Sequence, residues 1–289
     1  PQGAGVSPIL FNIFINDIPQ RNMPNHSYSN LYADDLATFF IYKKFGNLEN
    51  EINKYLKQLE SWLFKWKMKM SASKCFYTIF SQNKKQNKSF ALNLFLNGGL
   101  IPKTDNPTFL GITFDPYLCF NTHLSKLHSK AMQRLNIIKI LSHKSWHLSS
   151  DTLFLIFKTL IGSLFNYSSF CANQASRRWL KKLQTIQNSA IRTIFKLPYD
   201  TRTEDLTGIA SAFNLEDVRT RMHALNERYL IRSANSGNPL ISQLITEYRR
   251  GFAGGRPIRK PTPLCAGRIL IDEYFVNTDV DSDEMSESM

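Results

Sequence analysis

The amino-acid sequence predicts an α+β protein in which a mixed α and β region is followed by an all-α region. Up to residue 116, apolar runs of strand length accompany one long amphipathic segment, Asn47 to Met70. Beyond that point the apolar residues recur at three- and four-residue steps in four segments, and strand patterns vanish. With 289 residues, 43% of them apolar, the chain is long enough to form two lobes.

The first region is expected to contain helices and strands. Ser7-Pro8 predicts a helix start, with serine as the capping residue and proline in the first helical position, and this helix is expected to stop near Ile18-Pro19. Residues 31–41 form an apolar run with Asp34-Asp35 at its middle, which predicts a hairpin with the carboxylates at its turn. Further strands are expected at residues 75–81, 91–96 and 109–114, with a turn at 97–99.

The second region is expected to be helical, and the end of the chain is expected to lack a fold. Its four predicted helices cover residues 124–141, 153–164, 180–194 and 215–229. Residues 251–268 carry four Gly and three Pro among basic residues, which indicates a flexible linker, and an acidic tail follows. The predicted domains are therefore residues 1–116, 117–250 and 251–289.

The charge of the chain indicates an anionic partner such as nucleic acid or membrane. The formal net charge is +13, and residues 120–199 hold twelve cations with Asp151 as their one acid. Four of these cations lie beside Trp179 on one predicted helix, where we expect them to bind the backbone of a nucleic-acid duplex: Arg177, Arg178, Lys181 and Lys182.

The sequence favours an intracellular protein without a membrane partner. The four cysteines are far apart, so no disulfide is expected, and a reducing compartment such as the cytoplasm or nucleus is favoured. The longest apolar run, residues 153–165, contains Lys158 and is too short to cross a bilayer, and no signal peptide is evident. The first residues, Pro1-Gln2-Gly3, are expected to be an artificial edge of a longer domain.

The acidic pair in the predicted hairpin suits a divalent metal. Two neighbouring carboxylates between apolar strands repel each other, and a cation such as Mg²⁺ relieves that repulsion. Magnesium is held by one or two carboxylates together with substrate phosphates, and two such ions promote phosphoryl displacement. An ordinary polar turn is the alternative reading of this pair.

The sequence around the acidic pair resembles reverse transcriptases. Residues 1–19 followed by Tyr32-Ala33-Asp34-Asp35 resemble two consecutive signature blocks of that family, in its order and at its spacing. Residues 66–75 are similar to the next block, a helix leading to a lysine-bearing strand, and residues 109–115 to the strand that grips the primer. The helical region, with its stretch Gln184 to Arg192, is similar in pattern to the thumb and extension of jockey-like elements.

The resemblance implies a carboxy-terminal fragment of a reverse transcriptase from a non-long-terminal-repeat retrotransposon. Residues 1–116 would be a partial polymerase palm, an antiparallel sheet plus helices, and the all-α thumb and extension would follow. The complete enzyme would be an RNA-directed DNA polymerase that uses an RNA template, a DNA primer, deoxynucleoside triphosphates and two Mg²⁺ ions. A further catalytic aspartate would come from a strand upstream of Pro1, so the isolated chain is expected to be inactive.

The resemblance also implies roles for individual residues. Asp34 would be the primary metal-ligating carboxylate, assisted by Asp35, and Lys74 would bind or protonate the pyrophosphate leaving group. Asp17, at the end of the first helix, is not expected to ligate metal. The pocket for the templating base and incoming nucleotide would be lined by Pro1, Gln2 and Gly3, and the primer would be held by Tyr32, Phe109, Leu110 and Gly111.

The sequence leaves two alternatives to the polymerase function. A non-catalytic nucleic-acid-binding remnant of such an element fits the incomplete metal site. A viral RNA-dependent RNA polymerase is disfavoured, because those enzymes usually carry glycine before the paired acids, where this chain has Ala33.

Overall fold

The computed structural model describes residues 3–19, 27–42, 46–81, 90–171 and 175–234. The chain divides into two compact units, Pro1–Leu118 and Cys119–Met289. The first unit combines helices with small antiparallel sheets, and the described part of the second consists of helices. The predicted α+β class is therefore confirmed, whereas Pro1, Gln2 and the predicted linker and tail lie outside the described residues.

The core of the first unit is built on helix α2, Leu48–Lys65. The apolar residues that predict this helix lie on one side of it and are buried. Its first turn carries Glu49 and Glu51 and its last turn carries Lys65, an order that favours the helix dipole. The helix ends five residues before the predicted Met70, and its buried residues are Leu48, Ile52, Tyr55, Leu56, Leu59, Trp62 and Leu63.

Helix α1, Ser7–Phe14, differs from its prediction at both ends. Val6 is the N-cap residue, so Ser7 is the first helical residue and Pro8 the second. The helix ends at Phe14 rather than near Ile18, because the chain turns there and buries Ile15 in the core on α2. No residue of α1 itself is buried, although its apolar residues recur at helical spacing.

Strands β1, Ser27–Tyr32, and β2, Asp35–Phe40, form the predicted antiparallel hairpin. Two shorter hairpins follow, β3, Phe95–Leu96, with β4, Gly99–Leu100, and β5, Thr108–Phe109, with β6, Ile112–Thr113. In each short hairpin both turn residues have positive φ, 50° and 75° at Asn97 and Gly98, 47° and 76° at Leu110 and Gly111. This conformation matches the twist of the adjoining strands.

The expected strand at residues 109–114 is wrong, since a tight turn divides this segment into a hairpin. The expected strand at 91–96 is reduced to two residues, because side chains of α2 bind its backbone instead. Asn53 donates to the Asn93 carbonyl at 2.8 Å and accepts from the Phe95 N–H at 3.0 Å. Within the expected strand 75–81, pairing is limited to one parallel bridge between Tyr77 and Lys103.

The second unit contains helices α3, Asn121–Leu141, α4, Ser150–Phe157, α5, Ser163–Tyr167, α6, Arg177–Ile194, α7, Thr203–Ala212, and α8, Val218–Ala234. A π-helical turn, Lys158–Gly162, joins α4 to α5, so this predicted helix is present but locally widened. Helix α7 was not predicted. None of the helices in the described segments has the length and apolar character that a bilayer crossing requires.

Glutamine side chains of α6 hold the start of α8. Gln187 Nε2 donates to the Glu216 carbonyl at 2.9 Å, and Gln184 Oε1 accepts from the Val218 N–H at 2.8 Å. Asp217 caps the same helix, accepting from the backbone N–H groups of Arg219 at 3.0 Å and Thr220 at 3.1 Å. The Gln184 to Arg192 stretch therefore contributes directly to the packing of this unit.

Candidate active site

The two adjacent acids lie at the tip of the β1–β2 hairpin. Asp34 is in the turn, and Asp35 is the first residue of β2, paired across the hairpin with Tyr32. Both carboxylates and Tyr32 are exposed, so the tip is open to a ligand. Ala33 has φ +51°, a left-handed conformation that is uncommon for alanine and gives the turn its tight form.

The inner face of the hairpin is fixed on α2. Ser29 Oγ lies 3.1 Å from Thr38 Oγ1 across the two strands and 3.4 Å from the hydroxyl of Tyr55 on α2. The ring of Phe40 also meets Tyr55 edge-on, with centroids 5.7 Å apart. Because strand side chains alternate between faces, these contacts place Tyr32 and Asp35 on the opposite, open face.

The open face is aromatic beside the acids. Tyr28 and Phe39 are paired across the strands, and their side chains are 45% and 41% exposed. Tyr32 is 65% exposed and directly opposite Asp35, on the same face of the hairpin. A ligand that contacts the carboxylate of Asp35 therefore also meets the ring of Tyr32.

Helix α1 is attached to the same helix as the hairpin. Trp62 Nε1 donates to Asp17 Oδ1 at 3.0 Å, and the rings of Phe14 and Trp66 meet edge-on with centroids 4.9 Å apart. Tyr55 and Trp62 are seven residues apart, which is about 10 Å along an α-helix. Asp17 therefore accepts a hydrogen bond from a buried tryptophan of α2.

The other predicted site residues that the structure describes, Gly3, Lys74 and residues 109–111, lie on separate turns of the first unit. Gly3 has φ +88°, which a side chain would strain, and the space around it is open. Lys74 is exposed at the end of a short 3₁₀ turn, Ala72–Lys74. Phe109, Leu110 and Gly111 form the β5–β6 corner described above, so Gly111 serves a turn rather than a bend within a strand.

The donor set at the tip fits a magnesium ion but does not enclose one. Carboxylate oxygens are the ligands that Mg²⁺ prefers, and the ion retains water or binds substrate phosphates at its other positions. Among the residues that the structure describes, no group of three or more His, Cys, Asp or Glu side chains could hold a metal. Asp34 and Asp35 by themselves could therefore supply only part of a metal site.

The cationic cluster of the second unit lies in the first two turns of α6. Arg177, Arg178 and Lys181 are exposed, whereas Lys182 is half-buried with its Nζ 4.4 Å from the centroid of Trp179. Helix α6 contains no acidic residue, and its first turn carries arginines where the helix dipole disfavours cations. An anionic ligand would compensate both the exposed cations and the N-terminal end of the dipole.

Three cations counted among the twelve have structural partners. Arg134 donates to the Leu160 carbonyl, Lys158 to the Phe213 carbonyl at 3.3 Å, and Arg192 to the Thr201 carbonyl at 3.0 Å. Composition alone does not separate these side chains from the exposed ones. The cationic surface is therefore smaller than the sequence indicates, and the exposed cluster on α6 is its clearest part.

Comparison with known proteins finds a family model that matches the first unit. Residues 1–114 match the family model described as reverse transcriptase (RNA-dependent DNA polymerase). This segment includes the hairpin, helix α2 and the short hairpins up to Phe114.

Three similar proteins are named as RNA-directed DNA polymerases of mobile elements or transposons. The chain is 26% identical over 265 residues to the RNA-directed DNA polymerase from mobile element jockey of Drosophila funebris, covering 90% of this chain and 28% of that protein. It is 24% identical over 264 residues to the probable RNA-directed DNA polymerase from transposon BS of Drosophila melanogaster, covering 88% and 29%. The jockey polymerase of Drosophila melanogaster is 24% identical over 251 residues, covering 85% and 27%.

These matches are to the reverse transcriptase family that the sequence resembles and to polymerases of transposons. The chain spans less than a third of the length of these relatives. No solved structure matches it.

Proposed function

We propose that this chain is the carboxy-terminal palm and thumb part of a retrotransposon reverse transcriptase, and that its acidic hairpin tip is part of the polymerase active site. The observation that carries the proposal is the exposed Asp34–Asp35 pair at a tight turn. It lies inside the segment that matches the reverse transcriptase family model. The palm corresponds to residues 1–116, and the thumb and extension correspond to residues 117–250.

In this proposal the hairpin tip binds metal and the primer end. Asp34 and Asp35 hold Mg²⁺ through their carboxylate oxygens, and Tyr32 supports the primer terminus from the same face. When bound, the ions neutralise charge that develops on phosphate oxygens during nucleotidyl transfer. Lys74 is assigned to the pyrophosphate leaving group as a point charge, and Gly3 to the nucleotide pocket together with Pro1 and Gln2.

The second unit is proposed to hold the primer–template duplex. A polymerase binds its duplex without reading sequence, so contacts to phosphates from lysine and arginine are the expected means. The exposed side chains of Arg177, Arg178 and Lys181 supply such contacts from one helix that carries no acid. The short hairpin corner at Phe109, Leu110 and Gly111 is assigned to the primer strand.

Metal binding at the tip is testable on the chain itself with terbium, a luminescent ion that prefers oxygen ligands. Because Tyr32 lies opposite Asp35, its ring is placed to sensitise terbium emission. We expect emission that Mg²⁺ competes away and that the double change Asp34→Asn and Asp35→Asn abolishes. Tyr32→Phe should reduce the emission while leaving the competing Mg²⁺ concentration similar.

The matched control for the terbium experiment replaces two exposed acids elsewhere, Asp105→Asn and Asp151→Asn, with the same change in charge. Emission that persists unchanged in the Asp34 and Asp35 variant, or that falls equally in the control, contradicts a metal site at the hairpin tip.

Polymerase activity is tested by primer extension on an RNA template with a DNA primer. We expect no nucleotide incorporation by the isolated chain, since among the described residues no third acid joins the two at the tip. A longer protein that contains this chain should extend the primer, and Asp34→Asn should abolish extension while leaving duplex affinity unchanged. Extension that is insensitive to this substitution would overturn the assignment.

A non-catalytic nucleic-acid-binding role is the second candidate, because the described metal ligands are incomplete. The two roles share duplex binding and differ in primer extension. A longer protein that binds duplex with the expected salt dependence but never extends a primer supports the binding role.

A further inference from the structure

We infer that Tyr199 is a stacking platform for an unpaired nucleotide, and that a single nucleic-acid strand reaches it along the cationic face of α6. The inference rests on the proposed function, since it assigns an additional contact for a nucleic acid held by the second unit. Three features carry it, namely the turn that presents the ring, the guanidinium beside the ring, and the charge of the neighbouring helix.

The ring of Tyr199 is fully presented to solvent on a well-defined turn. Its side chain is 94% exposed. The turn runs from Pro198 to Thr201 and is closed twice at the Pro198 carbonyl, by the Thr201 N–H at 3.3 Å and the Thr201 hydroxyl at 2.7 Å. These two hydrogen bonds fix the turn, although the tyrosine contributes little to the core.

A cation lies against this ring. The guanidinium carbon of Arg192 is 5.9 Å from the centroid of Tyr199, within the range of a cation–π contact. Arg192 is itself fixed, because it donates to the Thr201 carbonyl at 3.0 Å. The ring is therefore supported on one side, and its exposure leaves area for another planar group such as a nucleobase.

The outer face of α6 leads to this platform. At 100° per residue, the exposed Arg178 and Lys181 point away from the buried residues of the helix, and the half-buried Arg192, which holds the Tyr199 turn, lies on the same side. Arg178 and Arg192 are fourteen residues apart, about 21 Å of helix. Cationic tracks combined with exposed aromatic rings are characteristic of single-strand binding.

The positive charge that favours a nucleic-acid strand on α6 gives way to acidic residues just after Tyr199. Asp200, Glu204 and Asp205 are exposed and follow the ring in sequence, at the turn and in the first turn of α7. One exposed cation, Arg202, lies among these three acids, so the local charge is negative and disfavours a phosphate backbone. The strand that follows α6 should therefore end its contacts at this ring. Tyr199 is placed for the last nucleotide of the bound segment.

The test measures binding of a fluorescent twelve-residue oligothymidylate by anisotropy over a range of salt concentrations. Stacking on an aromatic side chain contributes about 1–3 kcal/mol per base, so we expect Tyr199→Ala to weaken binding roughly five- to 150-fold. The dependence of log K on log salt should stay unchanged, because tyrosine is uncharged. Tyr199→Phe should bind like the parent, and Tyr199→Leu should bind like Tyr199→Ala.

Several outcomes overturn the inference. Tyr199→Ala that binds the single strand like the parent removes the platform, as does a parent that does not bind the single strand. Tyr199→Phe that is as weak as Tyr199→Ala assigns the contact to the hydroxyl rather than to the ring. Thermal unfolding followed by circular dichroism should be the same for all variants, because the ring is exposed.

A blunt-ended duplex separates this inference from the proposed function. We expect the duplex affinity of Tyr199→Ala to equal that of the parent, because a blunt duplex offers no unpaired base along α6. If duplex binding is intact and only the Tyr199 effect is missing, the inference alone fails. If duplex binding does not depend on Arg177, Arg178 and Lys181, the proposed duplex contact fails instead.

Discussion

Replacing the exposed cations at the start of α6 gives the sharpest test of nucleic-acid binding. The variant carries Arg177→Ala, Arg178→Ala and Lys181→Ala, and retains Lys182, because that ammonium group already contacts Trp179. We expect weaker binding of primer–template duplex with a smaller dependence on salt. The reason is that each cation that neutralises a phosphate releases a counterion when the complex forms.

The size of the effect follows from the number of exposed cations. Each phosphate contact adds about 0.9 to the slope of log K against log salt, so three contacts add about 2.7. The ratio of the parent's affinity to the variant's affinity should therefore be roughly 40-fold smaller at 200 mM salt than at 50 mM salt. The fold should be unaffected or stabilised, since cations in a first helical turn oppose the helix dipole by about 0.3–1 kcal/mol each.

Fluorescence anisotropy at four or more salt concentrations measures this slope. The matched control removes three exposed cations from the first unit, with Lys54→Ala and Lys57→Ala on α2 and Lys69→Ala beyond its end. The control has the same net charge as the variant. Equal slopes in the variant and the parent, or equal losses in the variant and the control, would refute binding by this face of α6.

Three further predictions concern the second unit. Asp217→Ala should lower its free energy of unfolding by about 1 kcal/mol, because two backbone N–H groups lose their cap, whereas Asp217→Asn should largely retain it; urea unfolding measures both. Burial and the ammonium groups of Lys130 and Lys126 lower the pKa of His123 below its ordinary value of 6.5. The neutral imidazole therefore contributes its full stabilisation above pH 6.5, and the free energy of unfolding falls as the pH drops below that value. His123→Gln should flatten this fall, and an unchanged profile would contradict it. Burial raises the pKa of the Cys171 thiol. In a variant with the other three cysteines changed to serine, an aromatic disulfide reagent should therefore label Cys171 only after unfolding, and rapid labelling of the native variant would show an open core.

The elements that could be predicted from the sequence are those with a strong periodic pattern. Helices α2, α3 and α6 bury a regular apolar stripe, so their existence follows from the order of residues alone. Helix α7 was missed because only Leu206 and Ala210 are buried, too few to produce a visible period. The acidic hairpin was predicted because apolar runs flank a polar pair at turn length.

Features that depend on distant partners could not be predicted. Residues 109–114 look like one strand, yet Leu110 and Gly111 turn the chain by adopting positive φ. The carbonyl partners of Arg134 and Lys158 are 26 and 55 residues away in sequence, so their structural role is invisible to charge counting. Tyr199 was missed for the same reason, because its exposure and its contact with Arg192 appear only when the turn is folded.

The hydrogen bond between Trp62 and Asp17 supplies a built-in spectroscopic reporter. A carboxylate 3.0 Å from an indole N–H perturbs emission from that indole, so Trp62 fluorescence should respond when α1 detaches from α2. Trp146 and Trp179 belong to the second unit. With both changed to phenylalanine, the remaining emission comes from Trp62 and Trp66, which contact Asp17 and Phe14, so it would follow the attachment of the first helix to the scaffold that also carries the acidic hairpin.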